Sequence, residues 1–419
     1  MAVQSAACCN SAASGVRAPI ATSCGSHGRT MRRLTQQAAR RGCQRHTAVT
    51  RAAAAAEAPA PQQQQEQEQE MQPISTTYPT RMLSPDEVVE ELYDSQHSVQ
   101  RTTYHSFYSS ELGGIVTDPA LFVVQLDDHM LHRGHAVFDT AVITDGYLYQ
   151  LDQHLQRFLT NAAKANIGLP RGMSVEQMRR TILETAAAGC KLNGHVRYWL
   201  SAGRGGFGLS GNECGGATFY CTAFTRDTPE EKLDEYLRGW RVKTTPVPLK
   251  PPFFARIQST DQLPNALALM DAQAEDYDQA VFVDGNGFVC GGTDMNLACL
   301  LADGTLVVPP FEQAVDGILV QRMMQLLPAA IEEGIEGITR VEQRPITLAE
   351  AKAATEVFFV DSTLPVMPVV GWDVMLIADG TAGLAALQVR VMLQRDMQPW
   401  PGSDQHTEVP YGFMTGMLD

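Results

Sequence analysis

Between residues 134 and 151 apolar stretches are separated by short polar breaks, one of them Asp145-Gly146. Asp-Gly between apolar stretches is a hairpin signal, so this segment predicts two antiparallel strands ending at Leu151. From Asp152 the pattern changes. Leu155, Phe158, Leu159, Ala162 and Ala163 recur at spacings of three and four, which predicts a helix whose Arg157 projects from a different face than the buried stripe. A second helix is expected over 174–188, with Ser174 as its N-cap and Glu176 close behind, and strands over 194–202 and 217–225.

The turn-rich stretch 226–231, containing Pro229, reads as a hinge. Beyond it, 241–247 is strand-like and 264–277 helical, while 279–283 and 287–290 are strands about an Asp284-Gly285 turn. Gly317 precedes a helix over 318–333, and 356–360 forms another strand. Such a mixture predicts an α/β or α+β architecture, and no internal repeat interrupts it.

With 419 residues and 44% apolar content, the chain is long enough for two domains after any leader. Before Glu57 there is no Asp, Glu or Lys but there are eight arginines among many Ala and Ser, the composition of an organelle transit peptide, placed at 1–55. Ala-Pro and Gln/Glu repeats follow, too polar to pack, giving a low-complexity linker over 56–76. Removing eight positive charges from a net of −15 leaves −23, which opposes binding to nucleic acid or anionic lipid. No run of about 18 apolar residues is present, so no membrane span is expected. Outside the leader, Cys190, Cys214, Cys221, Cys290 and Cys299 show neither C-x-x-C pairing nor His at metal spacing, and read as reduced packing residues with no metal.

Several ordered blocks carry a resemblance. His129-Met130-Leu131-His132-Arg133-Gly134-His135 with Val137-Phe138-Asp139-Thr140 comes first, followed by Leu151-Asp152-Gln153-His154-Leu155-Gln156-Arg157-Phe158. Arg197-Tyr198-Trp199-Leu200-Ser201-Ala202-Gly203, the run from Ala255 through Asn265 to Asn296, and Pro365-Val366-Met367-Pro368-Val369 complete the set. Together they resemble the class IV (fold type IV) aminotransferases, in the plant and algal branch of D-amino-acid transaminase and aminodeoxychorismate lyase-like proteins. The resemblance implies a small N-terminal domain, placed at 77–226, a hinge at 227–234, and a larger C-terminal domain at 235–419. Pyridoxal 5'-phosphate lies between the two in such enzymes, each dimer site takes loops from the neighbouring subunit, and the branch is plastidic, with a mitochondrion as the alternative address.

The resemblance also assigns roles. Arg157, Gly317 with the following Ile318 and Leu319, and Ser362 with Thr363 fall where the family holds the cofactor phosphate. A guanidinium fork and the N–H groups of a helix start suit a dianion on chemical grounds as well. Phe138 falls at a pocket-lining aromatic position, and Arg204, in the 203–208 loop, is a candidate for a substrate carboxylate. Three positions depart from the pattern. Gln258 stands where the family has the lysine that bonds the cofactor, Gly291 where it has the glutamate facing the pyridine nitrogen, and Leu319 where a threonine is usual.

A carboxamide is neutral at every relevant pH, a poor nucleophile and no base. These departures therefore predict a catalytically degenerate protein that binds pyridoxal or pyridoxamine phosphate non-covalently at most, or pairs as a heterodimer with an active paralogue instead of forming a homodimer. The alternative is a working transaminase or lyase of slow or unusual chemistry, acting on a D-amino acid, a branched-chain amino acid or aminodeoxychorismate. Rescue by Lys250 is not expected, because an extended 250–257 would span about 26 Å at roughly 3.3 Å per residue.

Overall fold

The computed structural model describes residues 80–96, 102–226 and 233–414. The expected leader at 1–55, the linker at 56–76 and positions 227–232 of the hinge lie outside the described residues. Sixteen strands occur among the described residues. The first six are β1 (Tyr104–Ser109), β2 (Gly114–Val116), β3 (Ala136–Thr144), β4 (Tyr147–Tyr149), β5 (Gly194–Ser201) and β6 (Thr218–Phe224). Next come β7 (Trp240–Thr244), β8 (Gln279–Val283), β9 (Val289–Gly292), β10 (Asn296–Leu300), β11 (Thr305–Val308) and β12 (Arg340–Gln343). The last four are β13 (Glu356–Asp361), β14 (Leu364–Trp372), β15 (Met375–Leu376) and β16 (His406–Glu408).

One sheet has seven strands in the order β16-β4-β3-β5-β6-β1-β2, and the other has nine, running β12-β11-β10-β13-β14-β7-β8-β9 with β15 paired to β14. The first is antiparallel throughout, whereas the second includes parallel pairs at β7–β8, β7–β14 and β11–β12. This is the mixed α/β fold expected from the sequence, built on two sheets.

Each sheet buries its faces under helices. The helices Leu151–Lys164 and Val175–Ala188 cover the first sheet through Leu155, Phe158, Met178 and Ile182, which meet Val137, Val196, Tyr198 and Phe219. Ile318–Glu332 and Leu384–Met397 cover one face of the second sheet through Leu319, Met323, Val389 and Leu393. After the latter helix β16 returns to the edge of the first sheet beside β4. The Asp145-Gly146 turn forms as predicted, with φ of 47° and 85° at its two residues, the left-handed pair that a two-residue hairpin loop requires. The capping partner of Ser174 is Gln177, not Glu176: each side chain bonds the other residue's backbone N–H.

The extended path assumed for 250–257 is not what forms. Pro252–Ala255 is a short helix begun at Pro251, whose carbonyl accepts from the N–H groups of Phe254 and Ala255. A proline at the first helical position keeps its fixed φ and gives up only an N–H that would have no partner there, so the prolines start a turn here.

Candidate active site

Residues 257–260 are fixed against the first sheet before they reach the second. Ile257 is buried in the core of the first sheet, the Phe138 N–H donates to the Gln258 carbonyl at 2.9 Å, and the Thr260 N–H donates to the Ala136 carbonyl at 3.0 Å. Backbone pairing to the start of β3 thus sets where side chain 258 projects. It enters a cleft lined by both sheets. On one side the cleft holds a cavity of about 100 Å³ between Gln258, Lys250, Asn265, Phe282, Gly291 and Gly317. Its other part, about 290 Å³, is lined by Arg197, Arg226, Asp294, Asp361, Ser362 and Thr363. Phe138, Arg157 and Gln258 border both parts.

Arg157 is the best-anchored cation of the cleft. Its Nε and Nη2 donate to the two oxygens of Asp139 at 2.9 and 2.7 Å, and Nη1 donates to the Asp316 carbonyl at 3.1 Å. His154 lies one helical turn before Arg157 and bonds the same carboxylate through Nδ1 at 2.8 Å. Asp139 is fully buried. Burial alone would raise its carboxyl, but the charge of Arg157 and the contact with His154 outweigh it and hold the group well below the usual carboxylate range. The helical face carrying Arg157 therefore packs on the sheet, and two of its five guanidinium N–H groups remain for a ligand.

Beside Arg157 begins the helix Ile318–Glu332, with Gly317 at its N-cap and no side chain capping it. Its first N–H groups have no partner within the helix, and the helix dipole adds positive character to them. A Cβ on Gly317 would lie 2.0 Å from Asn296 Oδ1, so only glycine lets the turn come this close. Ile318 and Leu319 bury their side chains, so this turn offers backbone donors only. Across the cleft Ser362 is buried, and the Thr363 hydroxyl donates to Asp361 at 2.8 Å while accepting from Arg226 at 2.9 Å. Spare guanidinium donors, an uncapped helix start and the Ser362 hydroxyl around one cleft fit a phosphate monoester, while the one proton of the Thr363 hydroxyl is committed to Asp361.

The sequence reading gave no role to Arg197, Arg226, Asp294 or Asp361. Arg197 lies 5.2 Å from the centre of the Phe138 ring and donates to the Thr140 hydroxyl. Burial and the neighbouring Arg226 lower its basicity, while burial and the nearby Asp361 raise the Asp294 carboxyl. The alternation of β5 places Arg197 and Trp199 on one face, so an inward arginine was legible; its charged neighbours come from distant strands and were not.

Gly291 lines the cleft at φ +147°, a conformation that side-chain-bearing residues rarely adopt, and a Cβ there would meet the Met295 carbonyl at 3.1 Å. Arg204 is not brought to the cleft. It pairs with both oxygens of Asp127 at 2.8 and 3.0 Å, and borders a separate open depression with Tyr108, Arg171 and Glu184. Lys250, expected to be out of reach, is a wall residue of the same cavity as Gln258.

A family model described as amino-transferase class IV matches residues 136–372. A chloroplastic D-amino-acid transaminase of Arabidopsis thaliana is 37% identical over 339 residues, covering 80% of this chain and 87% of that protein. A putative branched-chain-amino-acid aminotransferase of Methanocaldococcus jannaschii is 29% identical over 276 residues, 65% of this chain and 90% of that protein. Among solved structures, the branched-chain amino acid aminotransferase from Escherichia coli superposes with a TM-score of 0.63 at 18% identity, covering 73% of this chain and 99% of that one.

Proposed function

This chain belongs to the class IV aminotransferases, and from that membership we propose that it holds pyridoxal or pyridoxamine 5'-phosphate by the phosphate group while residue 258 makes no bond to it. The observation that carries the reading is the carboxamide of Gln258 in the cleft between the two sheets. Such a cofactor, when bound, supplies an electrophilic carbon and an electron-withdrawing ring. Arg157 and the N–H groups after Gly317 orient the phosphate, Ser362 adds a hydroxyl on the far side with Thr363 beside it bonded to Asp361, and Phe138 with Arg197 forms an apolar and cationic wall. Neither Gln258 nor Gly291 can exchange a proton, so the chain lacks two groups on which family transamination depends, and turnover of a D-amino acid falls well below that of a lysine-bearing relative. The address is the plastid, as for the chloroplastic relative, and the assembly a homodimer.

The competing reading, an active D-amino-acid transaminase, draws on the 37% identity to the Arabidopsis protein. Two assays separate them. Fluorescence titration of the purified chain with pyridoxal phosphate and with phosphate-free pyridoxal tests the cradle, since only the phosphorylated form should bind. A coupled assay for pyruvate from D-alanine tests the chemistry, and rapid turnover by the unaltered chain would end the degenerate reading.

A further inference from the structure

The turn at 251–255 shortens the path between Lys250 and Gln258. At roughly 1.5 Å per residue in place of roughly 3.3 Å, a helical stretch carries the chain less than half as far. Both side chains therefore line one cavity. The Lys250 ammonium donates to the Asp261 carbonyl at 2.7 Å, which places Nζ three residues beyond Gln258 along the strand-paired segment. Its partner there is a carbonyl, to which a neutral amine can still donate, though more weakly than an ammonium.

Other lysines are placed differently. Lys243 is paired with Asp271 and Glu275, and Lys352 with Asp373. Lys164 borders a neighbouring depression on the far side of Arg157. Among the described residues Lys250 is the one lysine that lines this cavity. Burial lowers its pKa against the opposing charge of Asp261, the direction that favours the neutral amine.

We infer that Lys250 is the nucleophilic amine of this cleft, bonding the aldehyde carbon of a pyridoxal-type ligand in place of residue 258. The Nζ lone pair attacks the carbonyl carbon, a carbon–nitrogen double bond forms, and the carbonyl oxygen leaves as water with two protons from the amine, so no oxidant or reductant enters. The inference rests on the phosphate-anchored binding proposed above.

The test traps that bond. The full chain is incubated with pyridoxal 5'-phosphate, reduced with borohydride, digested with trypsin and mapped by mass. Lys250 precedes a proline, so it survives digestion inside fragment 244–256. The expected result is a pyridoxyl adduct on that fragment, reduced at least tenfold in Lys250→Ala and in samples given phosphate-free pyridoxal. Lys250→Ala should keep its melting temperature and still quench the ligand's fluorescence, since the phosphate contacts are intact. Gln258→Lys should move the adduct to residue 258. Binding without an adduct, or an adduct of equal yield in Lys250→Ala, overturns the inference while leaving the phosphate reading standing. Absence of binding by fluorescence and thermal shift overturns both.

Discussion

Replacing Arg157 by glutamine tests the centre of the site. The substitution removes two charge-assisted hydrogen bonds to a fully buried carboxylate and leaves Asp139 with His154 and the Thr140 N–H. Breaking a buried pair by deleting one partner costs about 3–5 kcal/mol, most of it the penalty of the abandoned charge. Asp139→Asn should cost a similar amount by stranding Arg157. The double variant, with two amides facing each other, should lose less than the sum, with a coupling of about 1–3 kcal/mol. Urea denaturation of the four proteins gives these numbers. Ligand titration then separates structure from function: Arg157→Gln should weaken pyridoxal phosphate by roughly ten- to a hundredfold, the worth of a hydrogen bond from a charged group. Asp139→Asn should keep or tighten binding, because the guanidinium is no longer neutralised. Additive stabilities, or equal losses of affinity in both single variants, would refute the reasoning.

The pair also predicts acid sensitivity: the Asp139 carboxyl is depressed, so its stabilisation is present above the ordinary carboxylate pKa and is lost as pH falls below it toward the folded value; acid-unfolding curves of wild type and Asp139→Asn should converge at the low end. His195, packed on Phe224, is pushed down to about 4 by burial first and then by Arg226 and Arg197. The unfolded chain therefore takes up this proton first, and between pH 7 and 4 the wild type should lose about 3 kcal/mol more stability than His195→Gln, measured by urea melts at each pH. Gly317→Ala should cost about 1–3 kcal/mol as the new methyl displaces Asn296, and weaken the phosphorylated ligand but not phosphate-free pyridoxal in the same titration. Gln258→Lys should raise pyruvate release from D-alanine by roughly 10²-fold, the low end of what acid–base help contributes, since position 291 still lacks a carboxylate; an unchanged rate would place the defect elsewhere.

What the sequence made legible follows from how local each signal is. The hairpin at Asp145-Gly146 and the helix after Gly317 are written in adjacent residues, and both formed where expected. β14 carries no strand signal in the sequence, because all nine of its residues are buried and Pro365 and Pro368 interrupt it, leaving neither alternation nor an unbroken apolar run. Arg157 is legible as a candidate and does border the cleft, whereas its bond to Asp139 is not legible, since a strand and the helix after the next turn must pack before the two meet. The position of Lys250 has the same origin. Distance along a chain converts to distance in space only once the conformation is known, and the two prolines begin a turn where extended backbone would carry the chain straight on.

The two departures at 258 and 291 are unequal in physical terms. At 258 the backbone is bonded to β3 through its carbonyl and leads from a buried Ile257, so the direction of the side chain is set by the sheet and is independent of what the side chain is. A lysine there inherits a prepared position. At 291 the backbone itself has moved into a region suited to glycine, and a glutamate would carry about 1–3 kcal/mol of strain or force the bulge between β8 and β9 to rearrange. The amine is thus recoverable by one substitution, while the carboxylate is not recoverable without its surrounding loop. An amine supplied from Lys250, off the strand-paired segment, restores the easier of the two losses and leaves the harder one in place. Covalent attachment and efficient turnover should therefore separate in this protein, the first present and the second weak, because they depend on different walls of the same cleft.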